Sequence, residues 1–127
     1  MDEEGLWSVE FISSPQSQGQ MWSGVGAGVV VLETWKLFGG DSTYFYLGTY
    51  SFNAGKLTAI VDVKHYYGPR NAIFGDLEQF RLNLRQVDRQ PTADPNGNRL
   101  LWVEGELEQN QTRKIAALLT FRAPLPG

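Results

Sequence analysis

Few residues of this chain are equipped for chemistry. It has one histidine, His65, and no cysteine, so thiolate chemistry and a histidine–cysteine zinc cluster are closed to it. Glu104, Glu106 and Glu108 alternate. On a strand that spacing puts all three carboxylates on one face, where solvent keeps them ordinary, whereas general acid–base catalysis needs a carboxyl in perturbing surroundings. "GVGAG" at Gly24 to Gly28 has the look of a phosphate loop. A dinucleotide fingerprint, however, requires a following helix and a third glycine where Val29 stands, so these glycines read as places where strands approach closely. "DPNGN" at Asp94 to Asn98 resembles part of a calcium loop, but Gly105 occupies the position of the closing carboxylate, and Asn-Gly is a strong reverse-turn signal. With no serine elbow or triad order present, we expect a non-enzymatic protein without metal or cofactor.

The elements that position these residues are strands. Hydrophobic alternation with period two runs through the chain, and no long window carries a helical stripe. Trp7, Val9 and Phe11 form one face of the first strand, and Val25, Ala27, Val29 and Val31 share a face of the second. Trp35 to Phe38 gives the third. Gly39-Gly40-Asp41 is read as a tight turn that presents a fourth strand, Thr43 to Ser51. Asn53-Ala54-Gly55 then signals a hairpin into the fifth, with Leu57, Ala59, Val61, Val63 and His65 on one face. The segment from Arg70 to Gln79 is ambiguous and could hold a short helix. Leu77 to Val87, Leu100 to Leu107 and Ile115 to Arg122 complete eight strands, with Phe80, Leu82 and Leu84 on one face of the sixth. Short strands on hairpin-length loops predict an all-β fold, a small antiparallel up-and-down barrel over residues 1–127 as one domain.

The stretch from Trp35 to Phe52 holds seven aromatic rings in eighteen residues, more than one face needs. If Phe45 and Leu47 point inward, then Tyr44, Tyr46 and Tyr50 point outward. Val30 lies on the reverse side of its strand and Leu118 on the reverse side of the last. A contiguous apolar outer patch marks a contact site, so Tyr44, Tyr46, Tyr50, Val30 and Leu118 are the expected partner surface, for a second copy of the chain or a regulatory protein. Trp7, Phe11, Phe45, Phe80 and Trp102 are expected inside, with His65 at the rim, where they either fill the lumen or line a pocket for a small apolar ligand. For the seventh strand, Leu101, Val103 and Leu107 form a rival inward set to Trp102. His65 fits two roles, a hydrogen-bonded histidine at the barrel mouth or a polar contact for a ligand.

Net charge is −3, and no basic run exceeds Arg113-Lys114, so the phosphate-neutralising surface of a nucleic-acid binder is missing. The acidic start "MDEEGLW" lacks the features of a secretory leader, and the longest apolar run, "VGAGVVVL", is too short for a membrane helix. The absence of cysteine fits a reducing compartment. We therefore expect a cytoplasmic protein that binds neither nucleic acid nor membrane.

Taken together, "GLWSVEF", "GAGVVVL", "GGDSTYFYLGTY" and "VKHYY" resemble the GrlR-like family of bacterial proteins, from Gly5 to about Phe121. The most specific part is Gly39, Gly40 and Asp41 followed by spaced tyrosines and Gly48. The resemblance implies a lipocalin-like barrel that dimerises, and a negative regulator of type III secretion that occupies a transcriptional activator without touching DNA. The acidic Glu-Asp-Glu-Asp loop of the family's regulator is replaced here by Ser51-Phe52-Asn53-Ala54-Gly55-Lys56.

Overall fold

The structure, a computed structural model, describes residues 3–12, 27–69 and 77–127. Its strands are β1 (Gly5–Ile12), β2 (Ala27–Glu33), β3 (Lys36–Gly40), β4 (Tyr44–Asn53), β5 (Lys56–His65), β6 (Gln79–Gln86), β7 (Leu100–Leu107) and β8 (Asn110–Ala123). Each pairs antiparallel with the next, and β8 returns to β1, closing an up-and-down barrel. Closure gives each of these strands a neighbour on both sides, which reduces the template for edge-to-edge aggregation. Within the described residues the candidate helical region yields only the start of β6; residues 70–76, like Gly24 and Val25, lie outside them.

Tight turns set the registers. Ala54 and Gly55 sit at φ 53° and 81°, and Asn53 stands opposite Lys56. Two successive left-handed residues match the right-handed twist of the strands they join. Thr34 and Trp35, at φ 51° and 68°, make the same kind of turn between β2 and β3; the Thr34 amide is held at 2.7 Å by the Glu4 carboxylate.

The turn between β3 and β4 differs from expectation. Gly39 and Gly40 belong to β3 and do not have the positive φ expected of them. Asp41 makes the turn: its Oδ1 accepts hydrogen bonds from the amides of Thr43 at 2.9 Å and Tyr44 at 2.8 Å, the Asx geometry that lets a side chain stand in for a turn carbonyl.

Because residues opposite each other in an antiparallel pair share a face, the registers sort the side chains. Leu57, Ala59, Val61 and Val63 of β5 point inward as expected, and so do Trp7 and Val9, Phe80 and Leu82, and Ile115, Ala117 and Leu119. Tyr50, Tyr46 and Tyr44 stand opposite Ala59, Val63 and His65, and all three are buried in the core. The tyrosines are thus interior, and Phe45 and Leu47 face out, the reverse of the expectation. The same reversal holds in β2: Val30 and Leu32 are buried in the core, whereas Val29 is exposed. In β7 the inward set is Leu101, Val103 and Leu107, not Trp102, whose indole donates to the Pro91 carbonyl at 2.8 Å.

Gly48 faces inward opposite Val61, where the barrel wall bends so sharply that a Cβ would lie 2.2 Å from the Ile60 carbonyl oxygen. Gly39 meets the same limit, 2.0 Å from the Val29 oxygen. Backbone cannot yield as a side-chain tip does, so these positions admit only glycine. We predict that Gly48→Ala costs about 1–3 kcal/mol or more of unfolding free energy by strand displacement, measured by urea denaturation. Gly97→Ala, in open space on a loop, should cost less despite its positive φ.

Candidate functional site

Three tyrosine rings fill interior space while their hydroxyls reach partners near the two mouths. At one mouth the Tyr50 hydroxyl donates to Glu3 Oε2 at 2.9 Å, and the fully buried Trp7 donates its indole N–H to the Glu3 carbonyl at 2.9 Å. The Arg99 guanidinium lies 5.1 Å over the Trp7 ring. At the other mouth the Tyr44 hydroxyl donates to the Leu77 carbonyl at 2.6 Å, and the Tyr46 hydroxyl donates to Asp41 Oδ2. His65 is the hydrogen-bonded histidine of the two expected roles: its Nε2 contacts the Gly68 carbonyl at 2.6 Å. A carbonyl can only accept, so Nε2 carries the hydrogen. Its ring packs edge-on against Tyr44, 5.3 Å between centroids.

Between these plugs the barrel retains a cavity of about 60 Å³, lined among others by Phe11, Tyr46, Val61, Leu82 and Ala117. Of the residues expected around a ligand, Phe11 lines it. Trp7 and Phe80 are buried in the surrounding core, and His65 sits at the rim. Phe45 and Trp102 lie on the outside of the wall.

The outer wall divides by chemistry. On β5 to β7, charges pair across strands: Arg81 bonds Asp62 at 2.8 Å and approaches Glu108 at 3.9 Å, Arg85 meets Glu106 at 3.0 Å, and Arg89 meets Glu104 at 3.0 Å. The guanidinium of Arg81 holds the Asp62 carboxyl below the usual carboxylate range. The three glutamates singled out from their alternation thus share an outer face on which each meets an arginine; the side chains of Glu104 and Glu108 are partly exposed and that of Glu106 is largely covered. The long loop before β7 is held against this region, with the Leu100 amide donating to the Thr92 carbonyl at 2.9 Å. Leu118 is half-buried on the outside, opposite Trp102 and Glu10.

Across β2 to β5 the wall is apolar instead. Val31, Phe38 and Leu47 stand in one cross-strand row. Val29 and Phe45 flank Gly40 in the neighbouring row toward the Asp41 turn, and Ile60 lies opposite Thr49. Val29, Phe38, Leu47 and Ile60 are 46%, 39%, 48% and 50% exposed. Tyr66, also exposed, extends the surface: its ring lies 6.2 Å from that of Phe45, and its hydroxyl donates to the Asp41 carbonyl at 2.7 Å. Charges appear only around this patch, with Glu33 opposite Lys36 at one end and Asp62 and Lys64 along β5.

Of the five residues expected on an outer apolar face, Tyr44, Tyr46, Tyr50 and Val30 lie in the core and Leu118 lies outside. The register of the Ala54–Gly55 hairpin was the signal that places Tyr50, Tyr46 and Tyr44 with the inward face of β5.

Among the described residues no group of three or more His, Asp or Glu is placed to hold a metal ion. No helix among them is long and apolar enough to cross a membrane. Comparison with models of known protein families finds no match, and comparison with the curated proteins finds none either.

Burial, reinforced by the hydrogen bond to Glu3, pushes the Tyr50 hydroxyl up from 10.0 to about 12. Burial, and then the adjacent Asp41, raises Tyr46 further still. Both shifts favour the neutral form in the folded chain, so the unfolded chain loses these protons first as pH rises. We predict that the contribution of these two tyrosines to stability is level below pH 10 and falls as pH rises above it, through about 12 for Tyr50 and later for Tyr46. Tyrosinate absorbance should show Tyr50 ionising at about 12 in native protein, with Tyr46 ionising only on unfolding.

Proposed function

We propose that this chain is a non-enzymatic, protein-binding module that uses the apolar outer wall of β2 to β5 as its contact surface. The observation that carries this reading is the contrast within one barrel wall. On β5 to β7 the sequence supplies paired charges, the ordinary means of keeping a sheet face solvated. On β2 to β5 the outward positions include the apolar Val29, Val31, Phe38, Phe45, Leu47 and Ile60, with Glu33, Lys36, Asp62 and Lys64 at their border. A centre of this kind with a charged rim has the anatomy of a protein interface, and Phe and Tyr are among the residues enriched there.

A second copy of the chain is the first partner in this reading. The rim residues Glu33, Lys36, Asp62 and Lys64 balance in charge, so two such faces meet without net repulsion although the whole chain carries −3. A regulatory protein is the second, in line with the resemblance to GrlR-like negative regulators that occupy a transcriptional activator. The paired charges on the outside of β5 to β7 favour a surface in water over one in lipid. Small-molecule carriage finds less support, because the interior cavity lined by the described residues has a volume of about 60 Å³.

Light scattering coupled to size exclusion should give a dimer at micromolar concentration. Leu47→Lys and Ile60→Lys should each weaken it about thirtyfold, the ~2 kcal/mol of an interface hot spot, with unfolding midpoints close to the parent. Trp102→Ala, on the opposite side, should leave association unchanged. A chain that stays monomeric and retrieves no protein from its native host would overturn the proposal.

A further inference from the structure

We propose that the waist of the barrel is a binding site for a single compact apolar molecule, of the size of xenon or a short alkane. This inference concerns the interior and does not rest on the outer-wall reading. Large rings stand toward the mouths, with Trp7 and Tyr50 near one and Tyr44 and Phe80 near the other. The cavity between them is lined by short side chains such as Val9, Val61 and Ala117 together with the larger Phe11, Tyr46 and Leu82. These do not meet at the centre, and the cavity of about 60 Å³ is what remains.

Its chemistry selects the occupant. Among the described residues the lining offers carbon surface only, and the one nearby hydroxyl, that of Tyr46, is committed to Asp41. Water in a cavity needs two or more polar partners, so it competes poorly here. An apolar molecule enters without displacing well-bonded solvent, and gains dispersion contacts that the lining side chains now lack.

Size sets the upper limit. An apolar cavity of about 150 Å³ holds benzene or xenon; this one has less than half that volume, which excludes a benzene ring. Toward the two mouths the rings of Trp7, Tyr50 and Tyr44 are each tied by a hydrogen bond to Glu3 or Leu77. The site is thus of gas or small-hydrocarbon size rather than lipid size.

The test is a xenon titration of the whole chain, followed by carbon–proton spectra with labelled valine and leucine methyls. Saturable shifts are expected at Val61, Val63, Leu82 and Val103, and benzene at matched concentration should leave these methyls unmoved. Ala117→Leu, which fills the cavity, should weaken xenon binding at least about tenfold through steric exclusion; Val61→Ile serves the same purpose should the first variant fail to fold. Leu82→Ala, which enlarges the cavity, should admit benzene. Xenon shifts confined to the outer methyls of Val29, Leu47 and Ile60 would overturn the proposal, as would shifts that survive both filling variants. Benzene binding in the unaltered waist would overturn the size limit.

Discussion

The two-residue turn at Ala54–Gly55 is the constraint from which the rest of the barrel follows. With Asn53 fixed opposite Lys56, every residue of β4 acquires a partner on β5, and partners share a face. The inward face of β5 is Leu57, Ala59, Val61 and Val63, so β4 must turn Tyr50, Gly48, Tyr46 and Tyr44 inward. A slip of one residue would exchange them for Phe45, Leu47 and Thr49 and leave Gly48 on the outside. The slip would also bring a side-chain-bearing residue to the point where the wall lets only a hydrogen approach the Ile60 carbonyl. Turn geometry and wall curvature therefore enforce the same register.

Putting tyrosines inside a barrel carries a cost, because a buried hydroxyl without a partner is destabilising. The fold meets it by aiming the hydroxyls toward the ends, where Glu3, Asp41 and the Leu77 carbonyl receive them. Among the described residues no buried side-chain nitrogen or oxygen is left without a partner. Asp41 has a double role, since one carboxylate oxygen forms the turn into β4 and the other receives Tyr46. Local turn chemistry and interior packing are coupled through one side chain, which gives "GGD" its structural meaning.

Much of this was legible in the sequence. Alternation in β1, β5 and β6 identified their inward residues, because each has one face that is plainly apolar and another that is mostly polar; in β8, with Ala116 and Leu118 on the reverse side, the larger Ile115 and Leu119 marked the inward face. β2 and β4 have two apolar faces, and there composition cannot choose. Judging Tyr more polar than Phe or Leu gave the wrong answer, since a ring that buries its area and satisfies its hydroxyl behaves as a core residue. The register carried by Asn53-Ala54-Gly55 would have resolved it. For β7 the connection to β8 is irregular, with a register shift between Glu106 and Leu107, so counting from the turn does not reveal that Trp102 faces out. The glycines of β3 were read as a turn because their reason for being glycine, close approach to the Val29 and Tyr44 carbonyls, depends on how β2 and β4 are registered against β3, which alternation does not reveal.

The surplus of rings between Trp35 and Phe52 thus resolves into two layers, tyrosines stoppering the lumen and Phe38, Phe45 and Leu47 forming an apolar exterior. The most direct measurement of that division is nitration of the folded chain by tetranitromethane, with each of the five tyrosines followed by mass spectrometry. Tyr66 and Tyr67 should react while Tyr44, Tyr46 and Tyr50 stay protected until the chain unfolds. Modification of Tyr44, Tyr46 and Tyr50 in native protein at the rate of Tyr66 and Tyr67 would place those rings outside and contradict the account.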